Sequence, residues 1–563
     1  MRKSLDISVN QGSSVSLVSK MSLRRFVIAV ALLAGMAMDA VAQAPVDPGP
    51  RPIGTFGFTS GNRKIPGSAT VFDLQQPHDP SLNGAGGPLN SSNLQAAMWF
   101  SALGIFGTVA TVNGTATGSG PVTSITGLGP AFNGESCLQC HAFPTIGGSS
   151  PPSNPQFRAA TNLGGRNTIP SFLSPTGPVR EARFINAVPA FGEAAAVPAG
   201  AVAPLFVIAG RSDAPPGCTI NQPDFPTQIA ANNVSFRIPI PLYGEGYVEN
   251  VPDAVLQANL ANEINLSAHP PSGVMPTPGI LGSFNTNPND NTISRFGWKA
   301  QNKSLLLFAA EAYNVEMGVT NDLFPNERST GIDCIPNTTP EDVMPLLNNI
   351  PAATLTSNPG TNEISSEVST DIQNFLVFMR INAAPGQCAF NSGVVSSTGQ
   401  AQCLSLTSTT GTNANTAAAV ASIQDGKALF GSIVPAPTAP NTGIGCVLCH
   451  TDSLTTGPSS FGSLNNATFH PYSDFALHNM GSGLSDGITQ GAAGPSQFRT
   501  APLWGIGQRL FFLHDGRTSD LNAAIQAHCT GTGSTSEACN AVKNYNSLKV
   551  SQQQDILNFL RSL

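Results

Sequence analysis

Charged residues are scarce in this chain. Asp, Glu, Lys and Arg make up 10% of its 563 residues, against about 25% in an average soluble protein. The net charge of -7 provides no basic surface for nucleic acid. The 56 Gly and 46 Pro predict long ordered loops, which excludes a coiled coil.

Long apolar runs are also missing. The run Phe26 to Met38 is shorter than the roughly 18 residues that a membrane span needs, so no stable membrane insertion is expected. Two Arg residues precede this run, and Ala40-Val41-Ala42 follows it as a cleavage site. Residues 1–42 are therefore predicted to be a signal peptide cleaved near Ala42, with Met21 as an alternative start, and the mature protein is expected in the periplasm.

Histidine is rare, yet two of the eight His follow Cys-x-x-Cys pairs. The segments are Cys137-Leu138-Gln139-Cys140-His141 and Cys446-Val447-Leu448-Cys449-His450. At this spacing two thiols bond to a haem and the adjacent imidazole ligates its iron. A redox thiol pair needs no following His, and a zinc site would need further nearby Cys or His ligands. Two copies predict two covalently bound haem c groups, held by Cys137, Cys140, His141, Cys446, Cys449 and His450.

The remaining cysteines suit an oxidising compartment. Of the ten Cys, four belong to the haem motifs, which leaves six, an even number compatible with three disulfides. The near pairs Cys388 with Cys403 and Cys529 with Cys539 are the first expected bridges, although the spacing alone does not determine the connectivity.

An internal repeat indicates two related halves. The segment Phe236 to Gly246 resembles Phe498 to Gly507, and Asp371 to Leu376 resembles Asp555 to Leu560, which predicts a closing helix in each half. A further helix is predicted from Ala417 to Phe430, ahead of the second motif.

The predicted fold is mainly α with long loops. It consists of two cytochrome c-like haem domains related by internal duplication, and the first carries a large loop-rich, helix-poor insertion that extends to about Asp290. The expected order is an N-terminal arm (43–92), the first haem domain (93–390), a linker (391–416) and the second haem domain (417–563).

The sixth coordination position of each iron decides whether a haem transfers electrons or catalyses. Leu521, Ala524, Ile525 and His528 recur at the spacing of one helix face. A His on such a face often makes only one hydrogen bond in a core, but the haem motif upstream favours His528 as the second iron ligand there.

The first half lacks an equivalent His. Aligning Trp298 to Leu305 with His514 to Leu521 places Ala312 opposite His528, and Glu316 is the next position on the same face. Glu316 is then either a carboxylate beside the first haem or a solvated acid at a helix end. A competing alignment, which uses Asp253 to Asn259, also leaves this haem without a His.

Three other residues remain candidates for the sixth iron ligand, namely Met317, Met480 and His269. Met480 or His478 is alternatively a packing residue beside the second haem.

These residues resemble the di-haem oxidoreductase family, whose relatives include bacterial di-haem cytochrome c peroxidase, MauG and the di-haem rubber oxygenases. The similar segments are Phe132 to Gly148, Arg295 to Gln301, Glu316 to Thr320 and Phe498 to His528.

The resemblance implies roles for three residues. His528 corresponds to a ligand of the second iron, Trp298 to an electron relay between the haems, and Glu316 to an acid/base beside the first haem. This chain is two residues shorter between Leu305 and Glu316 than those relatives, and it has Phe308 where they carry Gln.

We therefore expect a peroxidase-like enzyme that reduces hydrogen peroxide, or activates another small oxidant, at an open first haem, with electrons relayed through the second. The expected cofactors are two haem c groups, with Ca²⁺ as a further candidate. The expected donor is a small periplasmic cytochrome or cupredoxin. A non-catalytic di-haem electron-transfer cytochrome and a di-haem oxygenase acting on an apolar substrate are the alternatives.

Overall fold

The computed structural model describes residues 102–114, 127–190, 196–342, 370–382, 417–433, 440–459, 464–530 and 533–563, with single-residue gaps, and a few short pieces before residue 126. The predicted signal peptide, nearly all of the N-terminal arm, the linker and the Cys388 and Cys403 pair lie outside these residues. The predicted domain boundaries stay predictions.

Helices joined by long loops make up most of the regular structure. The helices that precede the linker are α1 (Cys137–Cys140), α2 (Gln156–Thr161), α3 (Phe225–Ala230), α4 (Glu245–Asn250), α5 (Asp253–Ala268), α6 (Leu305–Met317) and α7 (Thr370–Ile381). Those that follow it are α8 (Ala417–Phe430), α9 (Leu521–Ala527), α10 (Cys539–Ser547) and α11 (Val550–Ser562). Helices α7, α8 and α11 confirm the predicted closing helices and the helix before the second motif.

The expectation of a helix-poor segment up to Asp290 is wrong at α5. This helix has 16 residues, and Leu256, Leu260 and Glu263 are buried along it at helical spacing. No Gly or Pro lies within it, so the high Pro content of the surrounding segment does not extend into the helix.

The strands are short and form small sheets. They are β1 (Val109–Ala110), β2 (Ser124–Ile125), β3 (Ala131–Phe132), β4 (Glu181–Phe184), β5 (Val202–Ala203), β6 (Phe206–Val207), β7 (Val234–Arg237), β8 (Asn285–Thr286), β9 (Ile293–Ser294), β10 (Leu454–Thr455), β11 (Thr468–Phe469), β12 (Leu477–Asn479) and β13 (Gln497–Arg499). The antiparallel sheet β5-β4-β7 places Glu181 directly across from Arg237.

Capping residues determine where helices α6 and α9, which line the cavities described below, begin and end. The Ser304 side chain accepts a hydrogen bond from Leu307 N at the start of α6, and Gly318 (φ 70°) ends that helix. The Asp520 side chain accepts from Ala523 N at the start of α9, and His528 is the residue that caps its C-terminal end. These caps set the residues that each helix turns toward the interior.

The hydrophobic core lies in two main clusters, and each contains a similar aromatic arrangement. The Phe106 ring lies 6.4 Å from the ring of His141 and stacks at 4.2 Å on Phe378 of α7. The Phe430 ring lies 6.3 Å from His450 and 5.3 Å from Phe559 of α11. Each motif His is therefore linked through one Phe to the closing helix of its half.

The internal repeat adds a second shared feature. Gly246 and Gly507 occupy matching places in the two copies, and each lies against the last turns of a closing helix. A Cβ atom at Gly246 would be 2.2 Å from the Arg380 carbonyl oxygen, and one at Gly507 would be 2.2 Å from that of Arg561. Only Gly permits this close approach in either half.

Two disulfides are present among the described residues. Cys529–Cys539 confirms the predicted near pair, and Cys218–Cys334 joins residues 116 positions apart. None of the described helices is long and apolar enough to cross a membrane.

Candidate haem-binding cavities

The first Cys-x-x-Cys-His motif opens onto a cavity. Cys137, Cys140 and His141 line one side of it. Helix α6 supplies lining residues Phe308, Ala312 and Glu316, together with Met317 at its end. The described lining includes no residue of α5, so α6 and not α5 is the helix that faces the first motif.

The second motif opens onto a larger cavity. Cys446, Cys449 and His450 line it, and α9 brings His528 to the same space. Burial lowers the pKa of His450, and the nearby His528 is a smaller cause of the same sign. The structure thus brings together two imidazoles in the second cavity.

The three imidazoles share one hydrogen-bond arrangement. His141 Nδ1 lies 3.1 Å from the Gly148 carbonyl oxygen, His450 Nδ1 lies 2.9 Å from that of Tyr472, and His528 Nδ1 lies 2.7 Å from that of Ala524. A proton on Nδ1 that is donated to a carbonyl leaves Nε2 as the unprotonated nitrogen, the form that ligates a metal. Burial lowers the pKa of both His141 and His450 to about 4, which keeps these imidazoles neutral.

The alternative sixth ligands lie in different places. His269 ends α5 and is absent from the described lining of both cavities, whereas Met317 lines the first and Met480 the second. His478 also lines the second cavity, with Nε2 2.8 Å from Asp474 and Nδ1 2.8 Å from Glu537. Both ring nitrogens of His478 therefore already have partners.

Trp298 lines both cavities. Its side chain is almost fully buried, and its Nε1 donates a 3.0 Å hydrogen bond to the Ile238 carbonyl oxygen. The indole and the His514 ring are T-shaped, with centroids 6.4 Å apart, and His514 stacks at 4.3 Å on Phe498 in the second cavity. One indole in a fixed orientation thus borders both cavities.

Glu316 lines the first cavity and is half-buried. Burial, and then the nearby charge of Glu181, raises the pKa of Glu316 to about 8. Asn133 Nδ2 donates to Glu316 Oε2 at 3.0 Å, and the backbone N–H groups of Asn133 and Gly134 donate to the Glu316 carbonyl oxygen. These bonds tie the end of α6 to the segment that leads into the first motif.

The sequence reasoning missed several charged residues of the first cavity, among them Glu181, Arg183 and Arg237. Strand β4 alternates, with Ala182 and Phe184 in the core and Glu181 and Arg183 on the cavity face. Period-two alternation in Glu-Ala-Arg-Phe was the available signal, but a four-residue strand is too short for this pattern to stand out.

Buried arginines provide a test of whether haem fits these cavities. Among the described buried side-chain atoms without a hydrogen-bond partner are Arg237 Nε in the first cavity and Arg499 Nε and Arg509 Nε in the second, although other nitrogens of these guanidinium groups are bonded. A buried donor without a partner is costly, and the carboxylates of haem would satisfy such a guanidinium. The motif thiols, the available His Nε2 atoms and these arginines therefore fit haem in both cavities.

The structure provides no group of candidate ligands for the predicted Ca²⁺ among the described residues. The described residues contain no group of three or more His, Cys, Asp or Glu side chains arranged to hold a metal ion.

No curated protein matches this chain. The model of the family described as "Di-haem oxidoreductase, putative peroxidase" matches residues 202–414 and 434–563. The match includes Trp298, Glu316, the second motif and His528, while the first motif precedes it. With most of its length matched, and with a cavity behind each of its two haem motifs, the chain belongs to the di-haem oxidoreductase family.

Proposed function

We propose that the chain is a periplasmic di-haem c oxidoreductase that reduces hydrogen peroxide, or activates another small oxidant, in the first cavity. The observation that carries this proposal is the difference between the cavities. The second has His450 and His528 in one space, whereas the described lining of the first has His141 with Ala312 and Glu316 from α6.

The motif residues would hold the cofactors. Cys137 and Cys140 would attach one haem and Cys446 and Cys449 the other, with His141 as the only His ligand of the first iron and with His450 and His528 on the second. When bound, the first haem supplies an open iron position for redox chemistry and the second stores and transfers electrons.

Glu316 would move the protons. Reduction of one hydrogen peroxide to two waters consumes two electrons and two protons, and one oxygen must gain a proton before water can leave. A carboxyl group with a pKa of about 8 carries a proton at neutral pH and can also take one back. Asn133 holds the carboxyl in place, and Phe308 shields the cavity side of α6 from water.

Trp298 would relay the electrons from the second cavity to the first, because it lines both. The net charge of -7 favours a small donor, either a cytochrome or a cupredoxin, that presents a basic patch.

The test combines spectra of the oxidised holoprotein with a measurement of peroxide consumption. Absorption and EPR spectra of the oxidised holoprotein should contain one high-spin and one low-spin haem signal, and the protein should consume peroxide when a reduced donor is present. Two low-spin signals together with no peroxide consumption would contradict the proposal.

One observation favours a second candidate, a non-catalytic electron-transfer cytochrome. Met317 is 3% exposed and lines the first cavity, where a thioether could occupy the sixth iron position. If it does, the Met317→Leu variant should convert a low-spin first haem to high-spin. If Met317 is a packing residue, the EPR spectrum of this variant should equal that of the wild type.

A further inference from the structure

Two residues near the start of the chain, Val46 and Asp47, lie against its last helix. The Val46 N–H donates to Gln554 Oε1, and Gln554 Nε2 donates to the Val46 carbonyl oxygen, both at 2.9 Å. Gln554 belongs to α11 and is 508 positions away along the chain. Both backbone polar groups of Val46 are therefore bound by one side chain of α11.

Asp47 forms a buried ion pair with the last turn of α11. Its Oδ1 accepts from Arg561 Nε at 2.7 Å and its Oδ2 from Arg561 Nη2 at 2.6 Å, which is the bidentate geometry of a strong Arg–carboxylate pair. The Arg561 side chain is fully buried, and 5% of the Asp47 side chain is exposed. Because a buried guanidinium that loses its carboxylate is costly, this contact holds Asp47 firmly against the second half.

The same carboxylate binds the first residue of α9. Asp47 Oδ2 accepts a 2.7 Å hydrogen bond from the Leu521 N–H, a group for which the helix itself provides no acceptor. Leu521 lines the second cavity, and His528 caps the other end of this seven-residue helix. Asp47 therefore holds the end of α9 that lies opposite His528.

Arg561 extends this contact to a third part of the cavity wall. Its Nη1 donates to the carbonyl oxygens of Arg509 at 3.1 Å and of Gly507 at 3.4 Å, and its guanidinium lies 5.2 Å from the centre of the Phe512 ring. Arg509 and Phe512 both line the second cavity. The ion pair with Asp47 thus joins α9, α11 and the loop that contains Arg509.

We propose that Asp47 is a positioning residue for the second haem: by binding Arg561 and the start of α9 together, it keeps His528 in place to ligate the second iron. This proposal rests on the proposed function, because it takes His528 as the ligand. Asp47 is the fifth residue after Ala42, so cleavage of the predicted signal peptide there would leave it in the mature chain.

The experiment compares the holoprotein with its Asp47→Asn variant. Asn keeps the size of the side chain, but it has no charge and its Nδ2 cannot accept a hydrogen bond. Cyanide has to displace His528 to bind the second iron, and the contacts of Asp47 stabilise the form in which His528 is bound. The apparent affinity of cyanide for the second haem, read from EPR and absorption spectra, should therefore rise at least about tenfold.

Asp213→Asn is the matched control. Asp213 also makes a buried bidentate pair, with Arg211 Nε at 2.8 Å and Nη2 at 3.0 Å, and it also accepts from a backbone N–H, that of Val112 at 3.0 Å. Because this pair precedes the predicted linker, its loss should lower the thermal stability without changing the cyanide affinity of the second haem. An equal rise in both variants would mean that general loss of stability is the cause, and it would overturn the proposal.

Hydrogen exchange of the same holoproteins separates this proposal from the choice of iron ligand. In Asp47→Asn the backbone amides of α9 should exchange faster than in the wild type, whichever group ligates the iron. Unchanged exchange there would overturn the proposal, as would an unchanged cyanide affinity when His528→Ala does remove the low-spin signal. A low-spin signal that persists in His528→Ala would instead refute the ligand of the proposed function, while the exchange rates still report on Asp47.

Gln554→Ala decides the question if Asp47→Asn does not fold. This variant leaves the buried ion pair in place and removes only the side chain that binds both polar groups of Val46. The cyanide affinity of the second haem and the exchange of α9 should then change in the same direction by a smaller factor. No change in either quantity would overturn the proposal.

Discussion

Glu316→Gln is the substitution that most directly tests the proposed acid. Gln keeps the size of the side chain and can still accept the hydrogen bond from Asn133 Nδ2, but it cannot donate or take up a proton in the reaction. A positioned acid/base contributes about 10²- to 10⁴-fold to a rate, so kcat/KM for peroxide should fall by that factor, about 2.7 to 5.5 kcal/mol. The oxidised haem spectra should stay as in the wild type, because Glu316 is not a proposed iron ligand.

The pH dependence of turnover and of stability provides a second test of Glu316. The pKa of Glu316 is raised to about 8, so the acid form should be available below that pH, and wild-type turnover should decline as the pH rises through it. The folded state also binds this proton more tightly than the unfolded chain does. Wild-type stability should therefore fall as the pH rises from 4.5 toward about 8, and the Gln variant should lack this part of the decline.

Steady-state peroxide assays and thermal unfolding across this pH range measure both effects. Glu311→Gln is the control, since it removes a carboxyl from the same face of α6. Unchanged peroxide turnover in Glu316→Gln would remove the carboxylate from the mechanism, and it would favour the oxygenase alternative, which tolerates the loss of Glu316.

Three further predictions concern the second cavity and the path between the cavities. His528→Ala should convert the low-spin haem signal to high-spin in EPR, and a signal that stays low-spin would refute His528 as a ligand. Trp298→Phe should slow electron transfer between the haems in stopped-flow reduction while leaving both oxidised spectra unchanged, and an unaltered rate would exclude the indole as the relay. Cys539→Ser opens the bridge that follows His528 and should lower the free energy of unfolding by about 3 kcal/mol, read by denaturant titration, and an unchanged stability would contradict this.

The features that could be predicted from the sequence each lie within one contiguous segment of the chain. Covalent haem attachment needs two thiols and an imidazole within five residues, so each motif is complete in the sequence. The helix that carries His528 was also predictable, because Leu521 and Ala524 recur with the helical period and Asp520 caps its first turn. The same period placed Ala312 and Glu316 on one face of α6, and both line the first cavity.

The sequence-based predictions fail where residues in contact come from distant parts of the chain, or where the average composition of a segment obscures a local pattern. Helix α5 was overlooked because the average Pro content of its surroundings outweighed a regular stripe of buried residues. Glu181 and Arg237 meet only through the pairing of β4 with β7, and strands this short leave little periodic signal.

The amino-acid sequence by itself determined the two attachment motifs, the helix with His528 and the lack of a matching His in the first half, because each depends on spacing within one segment. The tertiary structure decided that one indole, Trp298, borders both cavities and that Glu316 stands beside Glu181. It also decided the raised pKa of Glu316, since the protonation of a buried carboxyl depends on desolvation and on the charges that the fold places around it.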